Sequence, residues 1–154
     1  MRVELQINGE KSLVEIKPAA LLLDVLRDLG LQGAKRGCET SHCGACTVLV
    51  NGEAAHSCVV LAARATGKEI TTIEGLAQDG DLDDLQKLFL KFGALQCGYC
   101  TPGMIMAAKA LVDRNKNPTL EEVRTALDGN LCRCTGYTSI FKAVLAYAEL
   151  HRKE

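Results

Sequence analysis

The sequence predicts an α+β protein in two parts, a small sheet domain over residues 1–78 followed by an all-helical domain over residues 79–154. Three observations predict it. Apolar residues alternate with a period of two around Asn-Gly turns in the first part. The period changes to that of helices from about Asp79. The eight cysteines divide into two sets of four, one set in each part.

The first elements read as strands. Val3, Leu5 and Ile7 share one face of residues 2–7. Asn8-Gly9, a pair with easy access to positive φ, makes the two-residue turn into a second strand near Ser12 to Ile16. After Pro18, Leu22, Val25, Leu26 and Leu29 have helical spacing, and Gly30 stops the helix as a left-handed cap. Thr47 to Val50 is a β-branched strand running into a second Asn-Gly turn at Asn51-Gly52, and Glu69 to Ile73 is a further strand.

Four helices follow. Leu82, Leu85, Phe89 and Phe92 share a face that ends at Gly93. A second helix starts with Thr101 as its cap and Pro102 at its first position, where a missing amide proton costs least. A third has Thr119 and Glu122 at capping-box spacing and stops at Gly129. The fourth, after Thr138, carries Ile140, Val144, Leu145 and Tyr147 toward a charged end at His151 to Glu154. Short connections between them predict a four-helix bundle.

Composition excludes several classes of function. A net charge of -1, from 18 basic and 19 acidic residues spread along the chain, leaves no basic stripe for a phosphate backbone, so no nucleic acid is expected. The charged start, Met-Arg-Val-Glu, does not read as a signal peptide, and no apolar run reaches the ~18 residues of a membrane span. The expected location is cytoplasmic. In a reducing compartment eight cysteines point to metal binding or redox work rather than to four disulfides.

Cys38, Cys43, Cys46 and Cys58 have the C-x4-C-x2-C…C spacing of a plant-type [2Fe-2S] site. Such a loop must bring backbone amides close to sulfur, and Gly33, Gly37, Gly44 and Ala45 allow that approach. His42 and His56 would have to displace well-spaced cysteines to make a Rieske centre, so they read as surface or packing residues. Cys97 and Cys100 form C-x2-C and Cys132 and Cys134 form C-x-C, with two helices between the pairs. Alone, this second set would also suit a structural zinc ion; the neighbouring site favours a second iron-sulfur cluster.

These segments resemble the iron-sulfur subunits of molybdenum hydroxylases, the family of xanthine dehydrogenase and of carbon monoxide dehydrogenase small subunits. The resemblance lies in Gly37-Cys38-Glu39-Thr40-Ser41-His42-Cys43-Gly44-Ala45-Cys46-Thr47-Val48, in Gln96-Cys97-Gly98-Tyr99-Cys100-Thr101-Pro102-Gly103-Met104 and in Gly129-Asn130-Leu131-Cys132-Arg133-Cys134-Thr135-Gly136-Tyr137, and it extends over essentially the whole chain. It implies a β-grasp ferredoxin-like domain with one [2Fe-2S] cluster and a four-helix domain with another. It implies a large molybdopterin-binding subunit and a medium FAD-binding subunit as partners, in a heterotrimer or a dimer of heterotrimers. This chain would then be a non-catalytic electron-transfer subunit with no substrate site of its own. Gln96 and Cys134 match positions that approach the pterin, and the loop with Gly44 would face the flavin partner. Carbon monoxide, purines, aldehydes, N-heterocycles and aromatic thioesters are all handled in the family, and the pocket that selects among them lies in the large subunit. The rival expectations are a stand-alone ferredoxin and a zinc-stabilised interaction module.

Overall fold

The computed structural model describes residues 1–152. Strands β1 (Arg2–Ile7), β2 (Glu10–Glu15), β3 (Thr47–Val50), β4 (Glu53–His56) and β5 (Glu69–Thr71) form one mixed sheet in the order β2-β1-β5-β3-β4. The pair β1 and β2 is antiparallel, with Val3 opposite Val14 and Ile7 opposite Glu10, while β5 runs parallel to β1 with Ile7 opposite Ile70. Both Asn-Gly pairs have positive φ at both residues, the geometry that matches the twist of the strands they join.

The alternation in β1 places Val3, Leu5 and Ile7 in a core with Leu22, Leu23, Val25 and Leu26 of helix α1 (Leu22–Asp28). Strand β3 does not alternate: Thr47, Val48 and Leu49 are all buried, because helix α3 (Thr101–Arg114) covers the face of β3 that α1 does not. The second core is separate. It is built from α2 (Asp84–Lys91), α3, α4 (Leu120–Leu127) and α5 (Thr138–His151), with Phe89, Met104, Leu127, Ile140 and Tyr147 almost fully enclosed.

Three helix boundaries differ from the sequence reading. α2 begins at Asp84 because Asp83 caps it, its carboxylate accepting from Leu85 N at 2.8 Å while Gln86 accepts from Asp83 N at 2.9 Å. Leu82 is thereby left outside the helix at 40% exposure, and Phe92, its C-cap, is 37% exposed. Cys100, not Thr101, is the N-cap of α3, which puts Thr101 and Pro102 first and second. The amide that proline lacks is still one the first turn does not use. α5 starts after Tyr137, a non-glycine residue at φ 68°. The capping box of Thr119 and Glu122 forms as the spacing predicts. Of the charged end read at His151 to Glu154, residues 153–154 lie outside the described residues. No helix among the described residues is long and apolar enough to cross a membrane.

Candidate metal centres

All eight cysteines are free thiols, and they gather in two places. Cys38, Cys43 and Cys46 lie on the loop between α1 and β3, and Cys58 lies on a short 3-10 turn, Ser57–Val59, that follows β4. The loop is fixed by its own backbone. Lys35 N donates to Ala45 O at 2.9 Å, Thr47 N to Gly44 O at 3.1 Å, and the Ser57 hydroxyl to Cys46 O at 2.7 Å. Glu39 and Ser41 sit at φ 57° and 64°, turning the amides of Thr40, His42 and Cys43 onto Cys38 Sγ at 3.4, 3.3 and 3.4 Å. The Thr40 hydroxyl and these three amides pull the Cys38 thiol down to about 5. Burial pushes Cys46, in contact with Cys58, up to about 11; both sulfurs lie in the sheet core.

The glycines divide the work unevenly. A Cβ on Gly37 would come within 2.7 Å of Cys43 Sγ, so this glycine makes room for a thiolate. Gly33 instead makes room for Ile73 and Glu74, away from the cysteines. Gly44, at φ 68°, is buried against Gly129 and Asn130 of the helical part. Gly44 itself thus points inward, while residues 36–37 and 39–42 of the same loop are exposed.

The second set comes from two hooks. Cys97 and Cys100 precede α3, and Cys132 and Cys134 lie between α4 and α5. Cys97 Sγ and Cys134 Sγ are 3.6 Å apart. Cys100 is in contact with Cys132, and burial first, then Cys132, pushes Cys100 up to about 12. Burial also acts to raise Cys132, but the Thr135 hydroxyl and amide, at 3.1 and 3.4 Å from Cys132 Sγ, outweigh it and hold the thiol below its ordinary value. Gln96 Nε2 donates to Cys134 O at 3.0 Å, tying one hook to the other.

This donor set fits [2Fe-2S] clusters. Two thiolates at ~2.3 Å from one tetrahedral metal are about 3.8 Å apart, close to the 3.6 Å between Cys97 and Cys134. A single zinc ion would draw all four sulfurs to that spacing. Here the thiols come in pairs, Cys97 with Cys134, Cys100 with Cys132, and Cys46 with Cys58. Pairs are what a diiron centre takes, two thiolates on each iron. Thr101 Oγ1, next to Cys100, is buried without a partner, as a donor awaiting an acceptor on a bound group would be.

The two sites are joined. Leu131 N donates to Cys43 O at 2.9 Å, so one hydrogen bond links the residue before Cys132 to a cysteine of the first set. The buried Asn130 donates from Nδ2 to Gly44 O at 3.1 Å and to Thr47 Oγ1 at 3.2 Å. Tyr99 OH donates to Arg36 O at 2.6 Å. His56 is held by Ser41 and packs on Gly129, and His42 contacts Thr40. Sequence reasoning gave no role to Asn130, Thr135 or Tyr137. The available signal was the polar Asn130 between the apolar end of α4 and a cysteine hook.

Comparison with known proteins adds the relationships. Residues 5–75 match the 2Fe-2S iron-sulfur cluster binding domain, and residues 72–145 match the [2Fe-2S] binding domain. The chain is 52% identical over 143 residues to the nicotinate dehydrogenase small FeS subunit of Eubacterium barkeri, covering 92% of this chain and 91% of that one. It is 50% identical over 145 residues to the xanthine dehydrogenase iron-sulfur-binding subunit of Escherichia coli O157:H7, covering 93% and 91%. The crystal structure of quinoline 2-oxidoreductase from Pseudomonas putida 86 superposes with a TM-score of 0.95 at 44% identity, over 99% of this chain and 96% of that one.

Proposed function

Because the chain belongs to the family of [2Fe-2S] small subunits of molybdenum hydroxylases, the xanthine dehydrogenase family, whose work is electron transfer, we propose that its eight cysteines hold two clusters and carry single electrons for a catalytic partner. Cys38, Cys43, Cys46 and Cys58 hold one cluster in a β-grasp ferredoxin-like domain, residues 1–78. Cys97, Cys100, Cys132 and Cys134 hold the other in a four-helix domain, residues 79–154. The sheet order, with β5 parallel to β1 and α1 across one face, supports the first assignment, and the separate core of α2 to α5 supports the second. The observation that carries the reading is the pairing of thiols in two sites joined through Leu131 and Cys43.

When bound, each cluster supplies one-electron acceptance and release, which divides the two electrons of a substrate oxidation into single steps. The chain's residues set the conditions for this. Amides at Cys38 and the Thr135 donors at Cys132 stabilise charge on sulfur. Cys100 at the N-cap of α3 places its thiolate at the positive end of a helix of 14 residues. The Leu131-to-Cys43 hydrogen bond and the Asn130 amide fix the distance between the two sites, on which the rate of transfer depends.

The partners in this reading are a large molybdopterin-binding subunit and a medium FAD-binding subunit, assembled as a cytoplasmic heterotrimer or a dimer of heterotrimers, and the substrate site lies in the large subunit. Cys97 and Cys134 are exposed, as are Tyr99 at 48% and Leu131 at 57%, so the second site offers a part-apolar face for the large subunit to cover. Gln96, bonded to the Cys134 carbonyl, and Cys134 itself are the residues that approach the pterin. Purification of the native protein tests the assembly. The chain copurifies with a large subunit containing molybdenum and pterin; recovery only as a free chain from native extract would contradict the reading.

A further inference from the structure

We infer that Thr135 is a positioning residue that sets the reduction potential of the C-terminal cluster, through a hydroxyl hydrogen bond to the Cys132 thiolate. The inference rests on Cys132 being a ligand of that cluster.

Thr135 Oγ1 lies 3.1 Å from Cys132 Sγ, and Thr135 N lies 3.4 Å from the same sulfur. The direction of the first bond is settled by its neighbours. Tyr137 N donates into Thr135 Oγ1 at 3.3 Å, occupying a lone pair of the oxygen. A thiolate on iron has no proton to give, so the hydroxyl proton points at sulfur. The loop is built to keep it there. Tyr137 is held at φ 68°, a left-handed conformation that a non-glycine residue adopts only when its surroundings hold it there. Its phenol accepts from Cys132 N at 2.7 Å and donates to Asn130 O at 3.4 Å, and its ring stacks on Phe141 at a centroid distance of 6.0 Å. One end of the turn therefore grips the backbone of Cys132 through Tyr137 while the other grips its sulfur through Thr135.

The consequence follows from charge. Reduction adds one electron, supplied by the catalytic partner or by a chemical reductant, converting one ferric ion of the cluster to ferrous and adding one negative charge shared by the sulfurs. A donor on sulfur binds the more negative state more strongly, so it raises the potential. The Thr135 hydroxyl is a donor that substitution can remove while the amide of the same residue stays.

The experiment is a redox titration of the native holo-complex, with each reduced cluster followed by its own electron paramagnetic resonance signal. In Thr135→Val, which keeps the shape and loses the hydroxyl, the midpoint of the C-terminal cluster moves to lower potential. At a fixed solution potential its reduced-to-oxidised ratio falls roughly two- to tenfold, the worth of one hydrogen bond. The N-terminal cluster does not move, and Thr135→Ser titrates as the wild type does. An unchanged midpoint in Thr135→Val, an equal shift of both clusters, or failure of Thr135→Ser to restore the midpoint would overturn the inference. So would loss of the second cluster from both Thr135→Val and Thr135→Ala with retention in Thr135→Ser, because the hydroxyl would then hold the cluster rather than set its potential. A wild-type complex with only one reduced-cluster signal at full iron content would bring down the ligand assignment itself, a failure distinct from these.

Discussion

Replacing Gly103 by alanine reverses the usual sign of a glycine-to-alanine change in a helix. Gly103 is the third residue of α3, and alanine there gains at most ~0.5–1 kcal/mol from backbone propensity. Its Cβ, however, would come closer than 3.0 Å to Gly44 O and to 3.2 Å from both Gly44 C and Asn130 Nδ2. The neighbour is backbone, and it is held in place. Gly44 O accepts from Thr47 N at 3.1 Å, from Thr47 Oγ1 at 2.7 Å and from Asn130 Nδ2 at 3.1 Å. Moving it strains three bonds worth ~0.5–1.5 kcal/mol each, while overpacking of this kind costs about 1–3 kcal/mol. The clash wins, with a net loss of about 1–2 kcal/mol. For a chain of this size that lowers the midpoint of thermal unfolding by ~2–8 °C. Far-ultraviolet circular dichroism and cluster absorbance of the holo-protein read it directly. Gly129→Ala is the control, since its Cβ would meet only the His56 ring at an ordinary 3.4 Å. A Gly103→Ala protein as stable as the wild type, or more so, would refute the account of how the two parts meet.

Other outcomes follow from the same contacts. In cluster-free protein at pH 7, limiting iodoacetamide modifies Cys38 before Cys46 or Cys100, because the first is held at about 5 and the others are pushed up to about 11 and 12; peptide mapping that finds Cys100 modified as fast would contradict this. The sign with pH is set by the same shift. The Cys38 thiolate contributes to stability fully above its unfolded value and loses that contribution as pH falls through about 5, so cluster-free Cys38→Ser loses less stability than the wild type on acidification. Tyr137→Phe leaves the part-buried Cys132 N–H without its 2.7 Å partner and costs ~1–3 kcal/mol, seen as a lower urea midpoint for loss of the C-terminal cluster's absorbance. If, in the complex proposed above, electrons pass from molybdenum to the C-terminal cluster and then to the N-terminal cluster and flavin, Cys43→Ser lets substrate reduce molybdenum and the C-terminal cluster but slows flavin reduction, whereas Cys100→Ser stops transfer at molybdenum. Rapid-mixing spectra showing normal flavin reduction without the N-terminal cluster would make that order wrong.

Strands β1 to β3, the turns and both cysteine sets were legible because each depends on local chemistry: alternation in β1, positive φ at Asn8-Gly9 and Asn51-Gly52, and short spacings between thiols; β4 was not read, and β5 ends at Thr71 rather than Ile73 because Ile73 opens a 3-10 turn. What was not legible depends on residues far apart in sequence. Gly44 reads as a loop glycine until α3 and the 129–130 backbone are packed on it. Thr47 and Leu49 look like one face of a half-exposed strand until the same helix covers them. At α2 the capping box of Asp83 and Gln86 outcompeted an apolar periodicity that extended through Leu82, since two satisfied backbone groups outweigh one exposed leucine. Thr135 and Tyr137 lie in the segment Gly129 to Tyr137 beside the Cys132 hook, yet their partners are set only when the loop closes around Cys132.

The central claim is that one chain holds two [2Fe-2S] clusters as separate one-electron sites. Stepwise reduction of the isolated holo-protein, with iron and acid-labile sulfide measured on the same sample, tests it most directly. Two irons and two sulfides per cluster give four of each per chain, and reduction gives two distinct paramagnetic signals that each account for one electron. Zinc in place of iron, or a single signal accounting for all the iron, would contradict it.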